Sequence, residues 1–152
     1  SGTTSANKII VSESEPTVEN GAIWINPTPI VDTGWQEVAL NTDNFKAYDG
    51  IASNSPVYRK IGDVVQIKGI VSPVHSDNSL GATTVTQIGS IPMEYAPSTL
   101  TVYAVCHGSN NAIWLLNVTP SGMIGAARYA LGNDSSNPKT GVWMPFSVTY
   151  LI

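Results

Sequence analysis

The sequence predicts an all-β domain of antiparallel strands, a barrel or sandwich, and three observations carry that expectation. β-branched and aromatic runs recur between Gly, Pro, Asn and Ser punctuation. No window of useful length holds a 3.6-residue apolar period. Charged residues make up 12% of the 152, about half the usual ~25%, so Ser, Thr, Asn and Gly fill the surface. A chain of this length buries most of its apolar surface without metal or disulfide help, and one principal core is expected.

Taken in order, residues 1–18 are rich in Ser, Thr and Glu and linker-like, with Lys8 to Val11 as a short strand candidate. Gly21 to Asn26 alternates Ile23 and Ile25 against Trp24 and stops at Pro27, which has no N–H for a ladder. Asn26-Pro27-Thr28-Pro29 is a stiff connector. Residues 1–33 are therefore read as a linker and extended neck, and 34–152 as the main domain, opened by Trp35 to Leu40. Val57 to Ile61 and Val64 to Val71 flank Gly62-Asp63, a two-residue loop with Gly where a type II′ turn needs a positive φ. Leu100 to His107, Ala112 to Val118, Met123 to Tyr129 and Val142 to Leu151 complete the strands. Gly108 to Asn111 and Pro120 to Gly122 are turns, and a helical turn competes only over Ala126 to Leu131.

Several strands are apolar on both faces. Leu100, Val102, Ala104 and Cys106 point one way while Tyr103 and Val105 point the other; Trp114, Leu116 and Val118 are backed by Ile113 and Leu115. One core uses one face, so the second face predicts a partner subunit, and closed cyclic symmetry is its usual source.

Net charge is −4 with pI near 4.9, which lacks the basic footprint of a nucleic-acid or anionic-membrane binder; neutral ligands such as sugars fit better. A single cysteine, Cys106, excludes an internal disulfide framework and a multi-cysteine metal knuckle. No apolar run approaches the ~20 residues that span a bilayer, and the first residues lack a signal-peptide pattern. The start at Ser1-Gly2 without Met leads to the expectation of upstream sequence holding an anchor.

Chemistry-bearing constellations are sparse. Cys106 and His107 are neighbours on a strand and project to opposite faces, so Cys106 reads as a small buried hydrophobe. His75 and Asp77 share a side if extended, yet two ligands do not make a zinc site, and a solvated loop is the plainer reading. No two of the eleven carboxylates fall on one strand face at close spacing, so a glycosidase pair would have to converge in space. No nucleophile elbow or phosphate loop occurs, and no metal, cofactor or catalysis is expected. Asn117-Val118-Thr119 and Asn133-Asp134-Ser135 match a glycosylation pattern that many unrelated chains share. Trp35, Trp114 and Trp143 lie in strand runs and read first as core or subunit interface, second as platforms for sugar rings.

Five phrases in order along the chain carry a resemblance: Trp35 to Leu40, Tyr58 to Gly69, Ile91 to Ser98, Val118 to Ile124 and Trp143 to Tyr150. Together they resemble the C-terminal head domains of receptor-binding proteins from tailed phages of Gram-positive bacteria, the lactococcal type included. Gly21 to Asn26 looks like a small extended element of phage tail and baseplate proteins. The resemblance implies a homotrimeric β-barrel or sandwich head at the tail tip or baseplate of a virion. It implies attachment through the N-terminus to other tail proteins, and reversible, non-catalytic grip on host cell-wall polysaccharide or teichoic acid. The long trimeric stem of such proteins is absent from this sequence. A structural tail subunit without ligand and a glycan-degrading tailspike enzyme are the alternatives.

Such heads meet the wall with the tip farthest from the neck, and three loops hold suitable groups. They are His75, Asp77 and Asn78; His107, Asn110 and Asn111; and Arg128, Tyr129, Asn133 and Asp134, where Tyr129 offers an aromatic face and Arg128 a charge for phosphate. The plainer reading is that these polar residues satisfy turns.

Overall fold

The computed structural model describes residues 30–75, 80, 84–131, 138 and 140–152 in full, and the backbone of 18–19, 22–23 and 134–135. The chain divides into two compact units, Ser1–Ile30 and Val31–Ile152. In the first, β1 (Val18–Glu19) pairs antiparallel with β2 (Ala22–Ile23). The candidate strand at Lys8 to Val11, and Trp24 and Ile25, lie outside the described residues.

The second unit is all-β, with two antiparallel sheets curled into a half-barrel. One sheet orders β13 (Met144–Leu151), β7 (Val64–Pro73), β6 (Val57–Ile61) and β3 (Gln36–Glu37); β5 (Phe45–Ala47) pairs with the far half of β7. The other orders β4 (Ala39–Leu40), β8 (Thr86–Ser90), β11 (Met123–Leu131), β10 (Ile113–Val118) and β9 (Val102–His107), and β12 (Asp134–Ser135) pairs with the end of β11. Four single 3-10 turns, at Tyr48–Gly50, Ala52–Asn54, Met93–Tyr95 and Ser109–Asn111, are the helical content of the described residues.

The β6–β7 hairpin forms where the sequence asks for it. Ile61 pairs with Val64, and Gly62 takes φ +57 at the first central position, which costs a glycine nothing. Tyr58, Val65, Ile67 and Val71 then fall on the inner face beside Phe146, Val148 and Tyr150. Trp114, Leu116, Val118, Ile88 and Ile124 meet them from the second sheet. Trp114 is 1% exposed, packs edge-on to Phe146 with ring centroids 6.0 Å apart, and donates its indole N–H to the His107 carbonyl at 3.0 Å. Satisfying that polar atom lets the largest side chain sit in the core, and truncating it to Ala costs about 3–5 kcal/mol.

β11 is strand throughout, so no helical turn forms over Ala126 to Leu131; the irregularity there is a bulge. Ala127 pairs with Leu115 and Ala130 with Ile113, leaving Arg128 and Tyr129 together opposite Trp114. Arg128 absorbs the extra residue at φ +53 and points to solvent, while Tyr129 turns inward.

β9 and β13 are each paired on one side only, and they lie beside one another along the seam where the two sheets meet. Trp143 N–H donates to Ser109 Oγ, and Ser109 N–H donates to the Trp143 carbonyl. Two residues on, Pro145 has no N–H to offer, and after two more the Ser147 backbone amide faces the Cys106 thiol. Alternate residues of a strand address the same edge, so this edge of β13 is blunted in turn by a side-chain clamp, a proline and a thiol.

Candidate functional site

Two surfaces of the second unit are shaped for contact. The first is the end of the half-barrel farthest from where Val31 enters. Gly62 N–H donates to the Val31 carbonyl and Ile152 N–H to Asp63, so the entering and leaving chain meet beside the β6–β7 turn. β7 runs from there to Pro73, and antiparallel β13 starts at that far end, with Met144 opposite Val71. Thr140 Oγ1 donates to the Val74 carbonyl at 3.5 Å, tying two far-end loops together, and the Ser109–Trp143 pair brings the turn after β9 to the same end.

Of the residues expected to bind, His75, His107, Asn110, Asn111 and Arg128 are exposed. His75 lies two residues past the end of β7, His107 closes β9, and Asn110 and Asn111 hold left-handed φ values of 58° and 61° in the tight turn. Asp77, Asn78 and Asn133 and the side chain of Asp134 lie outside the described residues. Tyr129 is corrected: at 4% exposure its ring belongs to the core, because the bulge at Arg128 flips the strand's alternation, and it offers no aromatic face to a ligand.

The second surface is a groove of about 590 Å³ that sequence reasoning did not anticipate. Ladder register explains its floor. Val57 pairs with Lys68 and Lys68 with Ser147, while Ile70 pairs with Pro145, so one row crosses the outer face of β6, β7 and β13 and a second crosses β7 and β13. One bank is Ser53 and Ser55; the other is Val105 and His107 on β9. The serine bank lies close because Gly69 has no side chain: a Cβ there would come within 2.7 Å of Pro56 Cα. His107 thus belongs to both surfaces.

Among the described residues no carboxylate lines the groove, although the whole chain is net acidic. Its cation, Lys68, rests with Nζ 4.0 Å from the centre of the Trp35 ring, which is 39% exposed on the same outer face. Arg59 approaches that ring at 5.8 Å but also donates through Nε to Asp32 Oδ1 at 2.8 Å and through Nη2 to Oδ2. Those bonds, with donation from Gly34 N–H at 2.9 Å, hold the Asp32 carboxyl down at about 2. Arg59–Asp32 is the ion pair found among the described residues, and Lys68 has no carboxylate partner among them. The Cys106 thiol, also in the lining, is pushed up to about 11 by burial and is held as the protonated thiol at neutral pH.

From the groove's β9 bank onward, the outer face of the second sheet is apolar and open around Val105 and Tyr103. Tyr103 is 60% and Val105 71% exposed, with Ile113 and Leu115 beside them on β10. Asn117 shares this face opposite Tyr103, is 6% exposed, and its Oδ1 has no partner; that burial leaves no room for a glycan on it. Among the described residues no three of His, Cys, Asp and Glu gather as metal ligands would.

The groove could have been half foreseen: the Gly62-Asp63 turn fixes Val57 opposite Lys68. Pro145 and Ser147 joined the row only through the long-range pairing of β13 with β7. No protein-family model matches the sequence, and no curated protein matches it.

Proposed function

We propose that this chain is a non-catalytic receptor-binding head of a phage tail or baseplate, working as a homotrimer that grips saccharide or teichoic acid of a host cell wall. The observation that carries the reading is the groove. Its floor of Val57, Ile70 and Pro145 suits the C–H faces of sugar or polyol units, and Ser53, Ser55, Ser147 and His107 offer donors and acceptors to their hydroxyls. Strand ladders fix both the floor and the β9 bank, so the site is preorganised and loses little entropy on binding. Weak single sites suffice when a virion presents many copies. The N-terminal unit, Ser1–Ile30, would join other tail or baseplate proteins.

The trimer in this reading uses the apolar outer face of β9 and β10 around Tyr103, which is uncovered and is not among the groove's lining residues. The same face favours a second reading, a structural tail subunit that assembles through it and binds no glycan. Passing purified wall polysaccharides from a panel of Gram-positive bacteria over the immobilised protein separates the readings. Retention with chains of unaltered length supports the receptor-binding head, whereas no retention leaves the structural subunit and shortened chains indicate a degrading enzyme.

A further inference from the structure

We infer that Lys68 makes the groove selective for an anion-bearing unit, a phosphate or carboxylate attached to a sugar or polyol, and that the anion draws the ammonium from its seat on Trp35. This rests on the groove being the glycan site and goes further, because net charge alone points to neutral ligands. Three local facts outweigh the net charge. Among the described residues the lining holds Lys68 and no Asp or Glu. Lys68 has no carboxylate partner among the described residues, so an incoming anion breaks no ion pair, whereas Arg59 is already committed to Asp32. Lys68 also stands mid-row, between Val57 and Ser147, so an anion held there leaves its hydroxylated body lying toward Ile70, Pro145 and the His107 bank.

An ammonium over an indole is a soft restraint: it keeps the long side chain extended across the sheet yet yields to a full negative charge. Trp35 accordingly serves as a parking place, and its emission reports when the ammonium leaves. Arg128, the charge expected from sequence to meet phosphate, is not among the groove's lining residues.

The test titrates glucose 6-phosphate, glucuronate, glucose and inorganic phosphate into the parent, Lys68→Met, Lys68→Arg and Arg128→Ala proteins. Tryptophan emission is followed at low and high salt, with wall polysaccharide binding measured alongside. The parent is expected to bind the two anionic sugars more tightly than glucose. Lys68→Met should weaken them on the order of tenfold or more while leaving glucose unchanged. Lys68→Arg should restore most of the loss, and salt should erase the parent's advantage. The two anionic sugars against each other identify phosphate or carboxylate as the preferred group, and weak binding of inorganic phosphate shows that the sugar body contributes. Lys68→Met binding like the parent, or Arg128→Ala carrying the loss, overturns the inference. If Lys68→Met loses no wall polysaccharide binding that the parent has, the glycan reading stands and Lys68 selectivity falls. If the parent binds no wall polysaccharide, the glycan reading falls, and the sugar titrations still decide for or against Lys68.

Discussion

Ser109 and Trp143 hold each other reciprocally: the Trp143 amide donates to Ser109 Oγ at 2.8 Å, and the Ser109 amide donates to the Trp143 carbonyl at 3.0 Å. These two bonds fasten the turn after β9 to the start of β13 at the far end of the half-barrel. They also fix the bank on which Val105 and His107 stand, so the groove's width depends on them.

Ser109→Ala removes the first bond and keeps the second. Because the Trp143 amide is partly open to water, the expected cost is about 0.5–1 kcal/mol, a fall of roughly 2–5 °C in melting temperature by calorimetry. An unchanged melting temperature would mean that the bond from the Trp143 amide to Ser109 Oγ adds nothing to the seam.

Cys106 lies at 6% exposure with its thiol pushed up to about 11. At pH 8 the folded protein should react with a thiol reagent far more slowly than the urea-unfolded chain, by orders of magnitude. Labelling at the unfolded rate would contradict the buried seam.

Asp32 is held at about 2 against an ordinary 3.8. Its folded pKa is depressed, so its contribution is present above pH 3.8 and is lost as pH falls through about 2. The melting temperature of the parent should exceed that of Asp32→Asn at neutral pH, and the gap should close as pH drops through that window. Both groups are open to solvent, so the gap should be small and should shrink with salt. A gap that persists below that window would assign it to something other than the Arg59 pair.

Much of the fold was legible because it is written locally. The hairpin at Gly62-Asp63 follows from one glycine and two flanking alternating runs, and Trp114 in the core follows from its place among Leu116 and Val118. Tyr129 was misread because alternation from Met123 onward is broken by Arg128, and nothing in that residue's identity announces a left-handed backbone. The groove was hidden for a different reason. Its longest row joins residues ninety positions apart, Val57 to Ser147, and its width is set by Gly69 receiving Pro56. Pairings of such distance are fixed by the whole packing, not by any window of sequence.

The uncovered face of β9 and β10 predicts assembly. Light scattering after gel filtration should give three times 16.1 kDa for the parent. Tyr103→Glu, which puts a charge on that face outside the groove's lining, should give 16.1 kDa with an unchanged far-ultraviolet spectrum. A monomeric parent would sink the trimer and leave the exposed Tyr103 unexplained.

Glycan binding through the groove is the central claim, and equilibrium binding of wall polysaccharide to the parent and to Ile70→Glu tests it most directly. The substitution sets a carboxylate in the apolar floor, on the outer face where no core residue is disturbed. The parent should retain polysaccharide from at least one Gram-positive wall without shortening it, and Ile70→Glu should lose that retention while keeping its melting temperature and oligomeric state. Retention by both proteins alike, or by neither, would contradict the account.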